Sequence, residues 1–286
     1  AEVVIKPLAD GGEGTVDALV DGMGGNMEFI KVTGPAGKQV LAKYGIIRPT
    51  NPDMEETSTA IMEMSQAAGI TQVTDKERNP LYTTTYGVGQ MIVDAIHKGC
   101  RRFIMGIGGS ATNDGGVGML QALGYDFLDK DGNQIRYGAI GLKDLVQIKD
   151  DKVIPELKDC EFHIACDVTN PLCGEEGCSA IFGPQKGATE QMVKDMDQWL
   201  AYYAKIAKES FIKADADKQG TGAAGGLGFA FLTFTNATLK SGVDLILHET
   251  KLEEEIKDAD IVITGEGCLD AQTAMGKAPI GVAKLA

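Results

Sequence analysis

Glycine-rich loops hold most of the side chains that could do chemistry here. The densest runs from Gly106 to Gly116 and sets Ser110, Thr112, Asn113 and Asp114 among glycines that include Gly108 and Gly109. Glycine lets a ligand approach the backbone because no Cβ intervenes. Two hydroxyls, an amide and a carboxylate suit a polar, multiply hydroxylated or phosphorylated ligand, and Asp114 is placed to accept a hydroxyl proton, with Asp10 and Asp167 as rival bases. A purely structural turn would not need so many special residues. Ala9 to Thr15 carries Asp10, Gly11, Gly12 and Glu13 just ahead of a helical pattern. Backbone N–H groups there could meet an anion at a helix N-terminus. Asp10 and Glu13 fit a capping box about as well, but a cap does not need the glycines.

Asp167, in Cys166-Asp167-Val168-Thr169-Asn170-Pro171, sits at a strand end as a metal ligand, a base or the start of an Asx turn. Phe182 to Thr189 places Lys186 among glycines. Lysine binds phosphate as a point charge, although a loop lysine is more commonly just solvated. Gly265, Glu266 and Gly267 end another apolar run, so Asp10, Asp167 and Glu266 together could hold Mg²⁺ with substrate and water oxygens. Gly222 to Gly228 reads either as close approach to a ligand or as tight helix packing.

Other chemistries lack their signatures. There is no P-loop, protein-kinase set, G-x-S-x-G elbow or H-E-x-x-H. His97, His163 and His248 lie in helix- or strand-like patterns and read as structural or surface groups. Gly106-x-Gly108-x-x-Ala111, with Asp126 downstream, resembles a dinucleotide fingerprint and supports a nicotinamide-dependent oxidoreductase as the rival enzyme class. The insert from Ser110 to Asp114 speaks against it by delaying the helix. A non-catalytic ligand-binding protein is the third reading.

The elements that must position these loops alternate between strand-like and helical patterns, which predicts an α/β fold. Strands are expected at Val3–Leu8, Phe29–Val32, Leu41–Ile47, Ala60–Met64, Arg102–Ile107, Glu161–Cys166 and Ala259–Thr264. The second and third of these form a hairpin through Thr33–Lys38. Helices are expected at Gly14–Met23, Thr84–Lys98, Gly116–Leu123 and Thr189–Lys208, the last capped by Thr189. Met62, Met64, Met91 and Met119 belong to core faces.

The 286 residues suffice for one large or two ordinary domains, and the net charge of −14 argues against a nucleic-acid partner, which normally needs a basic face. An anionic ligand must be held by local donors against that field. No apolar run is long enough to span a bilayer, and no signal peptide opens the chain. The six cysteines form no C-x-x-C pair and read as reduced thiols of a cytoplasmic protein. Patterned segments reach both ends, so the chain is expected to be a piece of a longer protein, inactive and poorly soluble by itself.

Together, the segments Ala9–Thr15, Gly106–Gly116, Cys166–Pro171, Ile181–Gly187 and Ile263–Gly267 resemble the bacterial type I glycerate kinases in order and spacing, over essentially the whole chain. The resemblance implies two α/β domains around a cleft. One is flavodoxin-like and discontinuous, made here of residues 1–28 and 245–286; the other, 29–244, is inserted into it. It also implies ATP, Mg²⁺ and D-glycerate, with 2-phosphoglycerate or 3-phosphoglycerate as product, and leaves homo-oligomerisation open. Cys268 stands where members often carry arginine, so no phosphate role is carried over to that position.

Overall fold

The computed structural model describes residues 3–5, 8, 14–49, 57–265 and 278–286. In chain order it contains α1 (Thr15–Met23), β1 (Asn26–Thr33), β2 (Gln39–Ile47), β3 (Ser58–Glu63), α2 (Ser65–Ala68), α3 (Tyr86–His97), β4 (Cys100–Gly106), α4 (Val117–Ala122), β5 (Asp126–Leu128), β6 (Gln147–Lys149) and β7 (Glu161–Ala165). Then follow α5 (Cys178–Phe182), α6 (Glu190–Ser210), α7 (Ala223–Phe234), β8 (Ala237–Lys240), α8 (Gly242–Glu249), α9 (Leu252–Ile256) and α10 (Ala278–Leu285). The central sheet has the order β1-β2-β3-β4-β7-β8, and β5 and β6 form a separate ribbon. The pairs β1–β2 and β2–β3 are antiparallel, whereas β3, β4, β7 and β8 run parallel.

Strand periodicity of two divides the apolar residues between two faces. Ala60 and Met62 of β3, Phe103 and Met105 of β4, and Phe162 and Ile164 of β7 enter one core, beneath α3, α4, α6 and α7. Ile61, Ile104 and Ala165 face the other way, onto Val16, Leu19 and Val20 of α1 and Leu245 and Ile246 of α8. Parallel strands covered on both faces explain the near-continuous apolar runs. The expected hairpin is present with Thr33 opposite Gln39, and Thr189 Oγ1 accepts the Met192 N–H at 3.3 Å to cap α6. The four singled-out methionines are all buried.

Two expected strands do not form among the described residues. Val3–Ile5 and Ile261–Ile263 lie outside any strand, with Ile5 82% and Ile263 91% exposed. Among the described residues neither run pairs with a neighbouring strand, and an apolar run without one has no ladder to join. The expected domain boundaries fall inside elements: 28/29 within β1 and 244/245 within α8. Because α1 and α8 cover the central sheet, these flanking segments share a core with it.

Close packing of α3 on α4 depends on Gly89, where an added Cβ would stand 2.4 Å from the Met119 carbonyl oxygen and 2.6 Å from the Ala122 Cβ. Alanine favours a helix by roughly 1 kcal/mol over glycine, but overpacking costs about 1–3 kcal/mol. Gly89→Ala is therefore expected to lower the thermal midpoint. An unchanged or raised midpoint would show that α3 and α4 separate freely.

Candidate active site

The parallel strands β3, β4, β7 and β8 end at Glu63, Gly106, Ala165 and Lys240, all on one edge of the sheet. Open α/β sheets bind ligands at that edge. A cavity of about 490 Å³ opens there, walled by Gly108, Gly109 and Ser110 after β4, Cys166, Asp167 and Val168 after β7, Lys186, and Ala223 and Ala224 at the start of α7. The structure thus brings together residues of four motifs that are separate in the chain. A second cleft of about 520 Å³, between Val153–Lys158 and Ser210–Lys213, holds none of the motif residues. Chemistry, not size, selects the first.

Lys186 is 1% exposed. Its Nζ donates to Ser110 Oγ at 2.7 Å and to the Thr112 carbonyl at 2.6 Å. Both acceptors are neutral, and among the described residues no carboxylate forms an ion pair with it. Burial pushes its pKa down to about 8, against the weaker opposing pull of Cys178 and Asp114. A buried ammonium without a paired anion is costly, and beside a cavity it provides a site for one.

Asp114 has a different setting. It is 1% exposed and does not line the cavity. Its Oδ2 accepts from the Thr85 N–H at 2.8 Å, the Thr85 hydroxyl at 2.9 Å and the Gly118 N–H at 3.3 Å, and its Oδ1 from the Gly116 N–H at 3.2 Å. Burial raises its pKa, while these hydrogen bonds pull it back. The carboxylate ties the loop to the N-termini of α3 and α4. Asn113 is also fully buried, with Nδ2 donating to Ser179 Oγ at 2.8 Å. Thr112 contributes its carbonyl to Lys186, and among the described residues its buried Oγ1 has no partner.

Asp167 lines the cavity and accepts the Gly242 N–H on Oδ1 at 2.9 Å. Gly225, at a kink near the start of α7, brings the Gly222–Gly228 run close against the loop after β4. It has φ +67°, and an added Cβ would lie 2.0 Å from the Thr112 carbonyl oxygen. Ala224, in the cavity wall, is held at φ 52°, a left-handed conformation that costs a non-glycine residue about 1–2 kcal/mol.

Sequence reasoning missed Glu63. It is 3% exposed at the end of β3, and its Oε1 accepts the Val16 N–H at 3.0 Å in the first turn of α1. Gly14, not Asp10, is the N-cap of α1. One donor expected to be available to a bound anion is therefore occupied by the protein's own carboxylate. An acid closing the apolar run Ala60-Ile61-Met62 was the available signal. Asp10, Gly11, Gly12, Glu13, Glu266, Gly267 and Cys268 lie outside the described residues. Gly265 is described, and open space surrounds it where a Cβ would sit.

The nicotinamide reading fails on geometry. Ala111 donates its N–H to the Ala68 carbonyl at 2.9 Å instead of packing a helix on β4, and α4 begins only at Val117. Asp126 lies in the separate ribbon, paired with Lys152 at 2.7 Å.

Fold and cavity define an α/β protein with a cavity at the carboxyl edge of a parallel-dominated sheet, walled in part by a buried lysine. The glycerate kinase family model matches residues 1–286, and the chain belongs to that family. It is 48% identical over 286 residues to a glycerate kinase of Haemophilus influenzae, covering all of this chain and 74% of the relative. It is 46% identical to the glycerate 2-kinase of Escherichia coli K12, covering all of this chain and 73% of that protein. The crystal structure of a candidate glycerate kinase 2 from Salmonella typhimurium LT2 superposes with a TM-score of 0.91 at 46% identity, over 98% of this chain and 73% of that one.

Two expectations follow. Asp114→Asn replaces an acceptor of four hydrogen bonds with a group that can also donate, so stability should fall by about 1–3 kcal/mol, read by denaturant unfolding. Unchanged stability with a large loss of kcat would instead make Asp114 a reacting group. Second, Lys186 is cationic below about pH 8 and neutral above it. Affinity for pyrophosphate should therefore be full at lower pH and weaken by up to about tenfold per pH unit above that point, until the pKa of the bound state is passed. Calorimetry between neutral and alkaline pH tests this, and a flat profile would remove Lys186 from the anion site.

Proposed function

We propose that this protein is a type I glycerate kinase that transfers the γ-phosphoryl group of ATP to the C2 hydroxyl of D-glycerate, giving 2-phosphoglycerate. The observation that carries this reading is the buried Lys186 ammonium beside a cavity whose wall also bears Asp167. Family membership supports glycerate as acceptor, and the 46%-identical relative named glycerate 2-kinase supports C2 over C3.

The residues present fit a polyphosphate and a hard cation. Gly108 leaves open space where a Cβ would stand, and the wall offers an ammonium, a hydroxyl and a carboxylate. Among the described residues no cluster of three or more His, Cys, Asp or Glu side chains could hold a metal. Mg²⁺ does not need one, since it keeps waters and phosphate oxygens and takes one or two carboxylates. The sequence offers Asp10 and Glu266 as its carboxylate donors, and both lie outside the described residues. Bound with ATP, Mg²⁺ would neutralise phosphate charge.

Lys186 holds phosphate oxygens, with Gly108, Gly109 and Ser110 as the adjoining wall. Asp167 accepts the proton of the C2 hydroxyl as its oxygen bonds to the γ-phosphorus. The bond from that phosphorus to the β–γ bridging oxygen breaks, and its electron pair leaves with ADP. Asp167 is favoured over Asp114 because it reaches the cavity and Asp114 does not. A cytoplasmic location, where ATP is available, is supported by five free thiols among the described cysteines. Among the described residues no helix is long and apolar enough to cross a membrane.

A coupled ADP-release assay on the purified gene product, with D-glycerate, other small hydroxy acids and no acceptor, tests the activity, and ³¹P NMR identifies the product. D-glycerate should be turned over to 2-phosphoglycerate, and Asp167→Asn should lower kcat by about 10²-fold or more with the glycerate KM little changed. No glycerate-dependent ADP release would overturn the function, and a normal kcat in Asp167→Asn would overturn the assignment of the base.

A further inference from the structure

Asp167 is held by an element that the sequence motifs do not include. Its Oδ1 accepts the N–H of Gly242, the first residue of α8, at 2.9 Å. Among the described residues no donor takes its Oδ2. Just before it, the Cys166 N–H donates to the Lys240 carbonyl at 2.8 Å, extending the β7–β8 pairing to the strand end. Carboxylate and backbone are thus both referenced to residues 240–242.

α8 is in turn fixed along its length. Ser241 caps it, accepting the Asp244 N–H. Leu245 and Ile246 pack with Ile61, Ile104 and Ala165 of the sheet. At the far end Glu249, its side chain only 6% exposed, takes two hydrogen bonds from Arg102 of β4, at 2.8 and 2.6 Å. Burial pushes the Glu249 pKa up, but the Arg102 guanidinium and its hydrogen bonds, with a smaller pull from His248, prevail and hold it below the usual range. A half-buried bidentate pair fixes direction as well as distance.

We infer that α8 is a positioning element for catalysis: the Gly242 N–H anchors one oxygen of Asp167 so that the other is presented to the substrate hydroxyl, and the Arg102–Glu249 pair keeps the helix from turning or sliding. The inference rests on the reading of Asp167 as proton acceptor. The first N–H groups of a helix lack intrahelical partners, and the positive end of its dipole favours a carboxylate. A preorganised donor of this kind needs no rearrangement when the reaction occurs.

Gly242→Pro is the direct test, because it removes the N–H that Asp167 accepts, and Gly242→Ala controls for adding side-chain carbon at this buried position. Proline suits the first helical position. Ser241, at φ −54° and ψ 138°, already has the extended conformation favoured before proline. Gly242→Ala keeps the N–H. The measurements are kcat, both KM values, the calorimetric Kd for D-glycerate and the thermal midpoint. Gly242→Pro should lose kcat by about tenfold or more, the scale of one preorganised donor, while Kd and KM for glycerate stay near wild type and Gly242→Ala recovers the rate. A normal kcat in Gly242→Pro, alongside an impaired Asp167→Asn, would overturn the inference and leave the assignment of Asp167 standing. A normal kcat in Asp167→Asn would remove the base assignment and this inference with it. If Gly242→Pro does not fold, Glu249→Gln decides, by loosening the far end of α8. A fall in kcat of about threefold or more with glycerate Kd unchanged supports the role, since small misplacements of a reacting group are felt in rate. An unchanged kcat refutes it.

Discussion

A buried cation with neutral partners is the constraint around which this site is built. Lys186 Nζ rests on Ser110 Oγ and the Thr112 carbonyl, so the loop after β4 must turn a hydroxyl and a carbonyl inward. That loop then needs its own support. Asp114 supplies it by gathering donors from Thr85, Gly116 and Gly118, and Gly225 does so by letting the start of α7 approach the Thr112 carbonyl. The strained Ala224 lies in the same wall. Strain of this kind persists only where surrounding contacts over-determine the backbone.

Much of this was legible along the chain. The alternation of apolar runs and helical faces located β3, β4, β7, α3 and α6, because buried parallel strands and amphipathic helices write their periods locally. The glycine loops and Lys186 were visible for the same reason. Roles that depend on distant partners were not. Asp114 stood out in the richest loop, yet Thr85, 29 residues earlier, makes it a tie between elements. Asp167 read as a metal ligand, a base or the start of a turn, and its anchor, which the sequence did not show, is 75 residues away. Glu63 attracted no notice because its partner, Val16, lies 47 residues upstream. Val3–Ile5 and Ile261–Ile263 have strand composition, but composition cannot supply the neighbour that a strand requires.

The three buried or half-buried acids show how one chemical group takes different tasks. Glu63 and Asp114 sit where backbone N–H groups at helix starts would otherwise lack partners. Their charge is used up locally, and neither lines the cavity. Asp167 also meets a helix start, but only one of its oxygens is taken by a described donor. Access to the cavity, more than the number of donors, therefore separates these acids: Glu63 and Asp167 each accept one described backbone N–H, and of the two only Asp167 lines the cavity.

The net charge of −14 raises the question of how such a chain could accommodate a polyphosphate and a carboxylate substrate. Distance decides it. At physiological ionic strength the Debye length is about 8 Å, so surface carboxylates beyond that range act weakly on a bound ligand. Many of the acids are already neutralised in place, as in Asp17–Lys43, Asp94–Lys98 and Glu249–Arg102. Lys186 is shielded from solvent and salt by its burial, and its field is least screened where a ligand would lie. Local geometry thus governs how tightly an anion is held, whereas the acidic exterior acts mainly on how fast it arrives, because long-range steering is the part that salt removes.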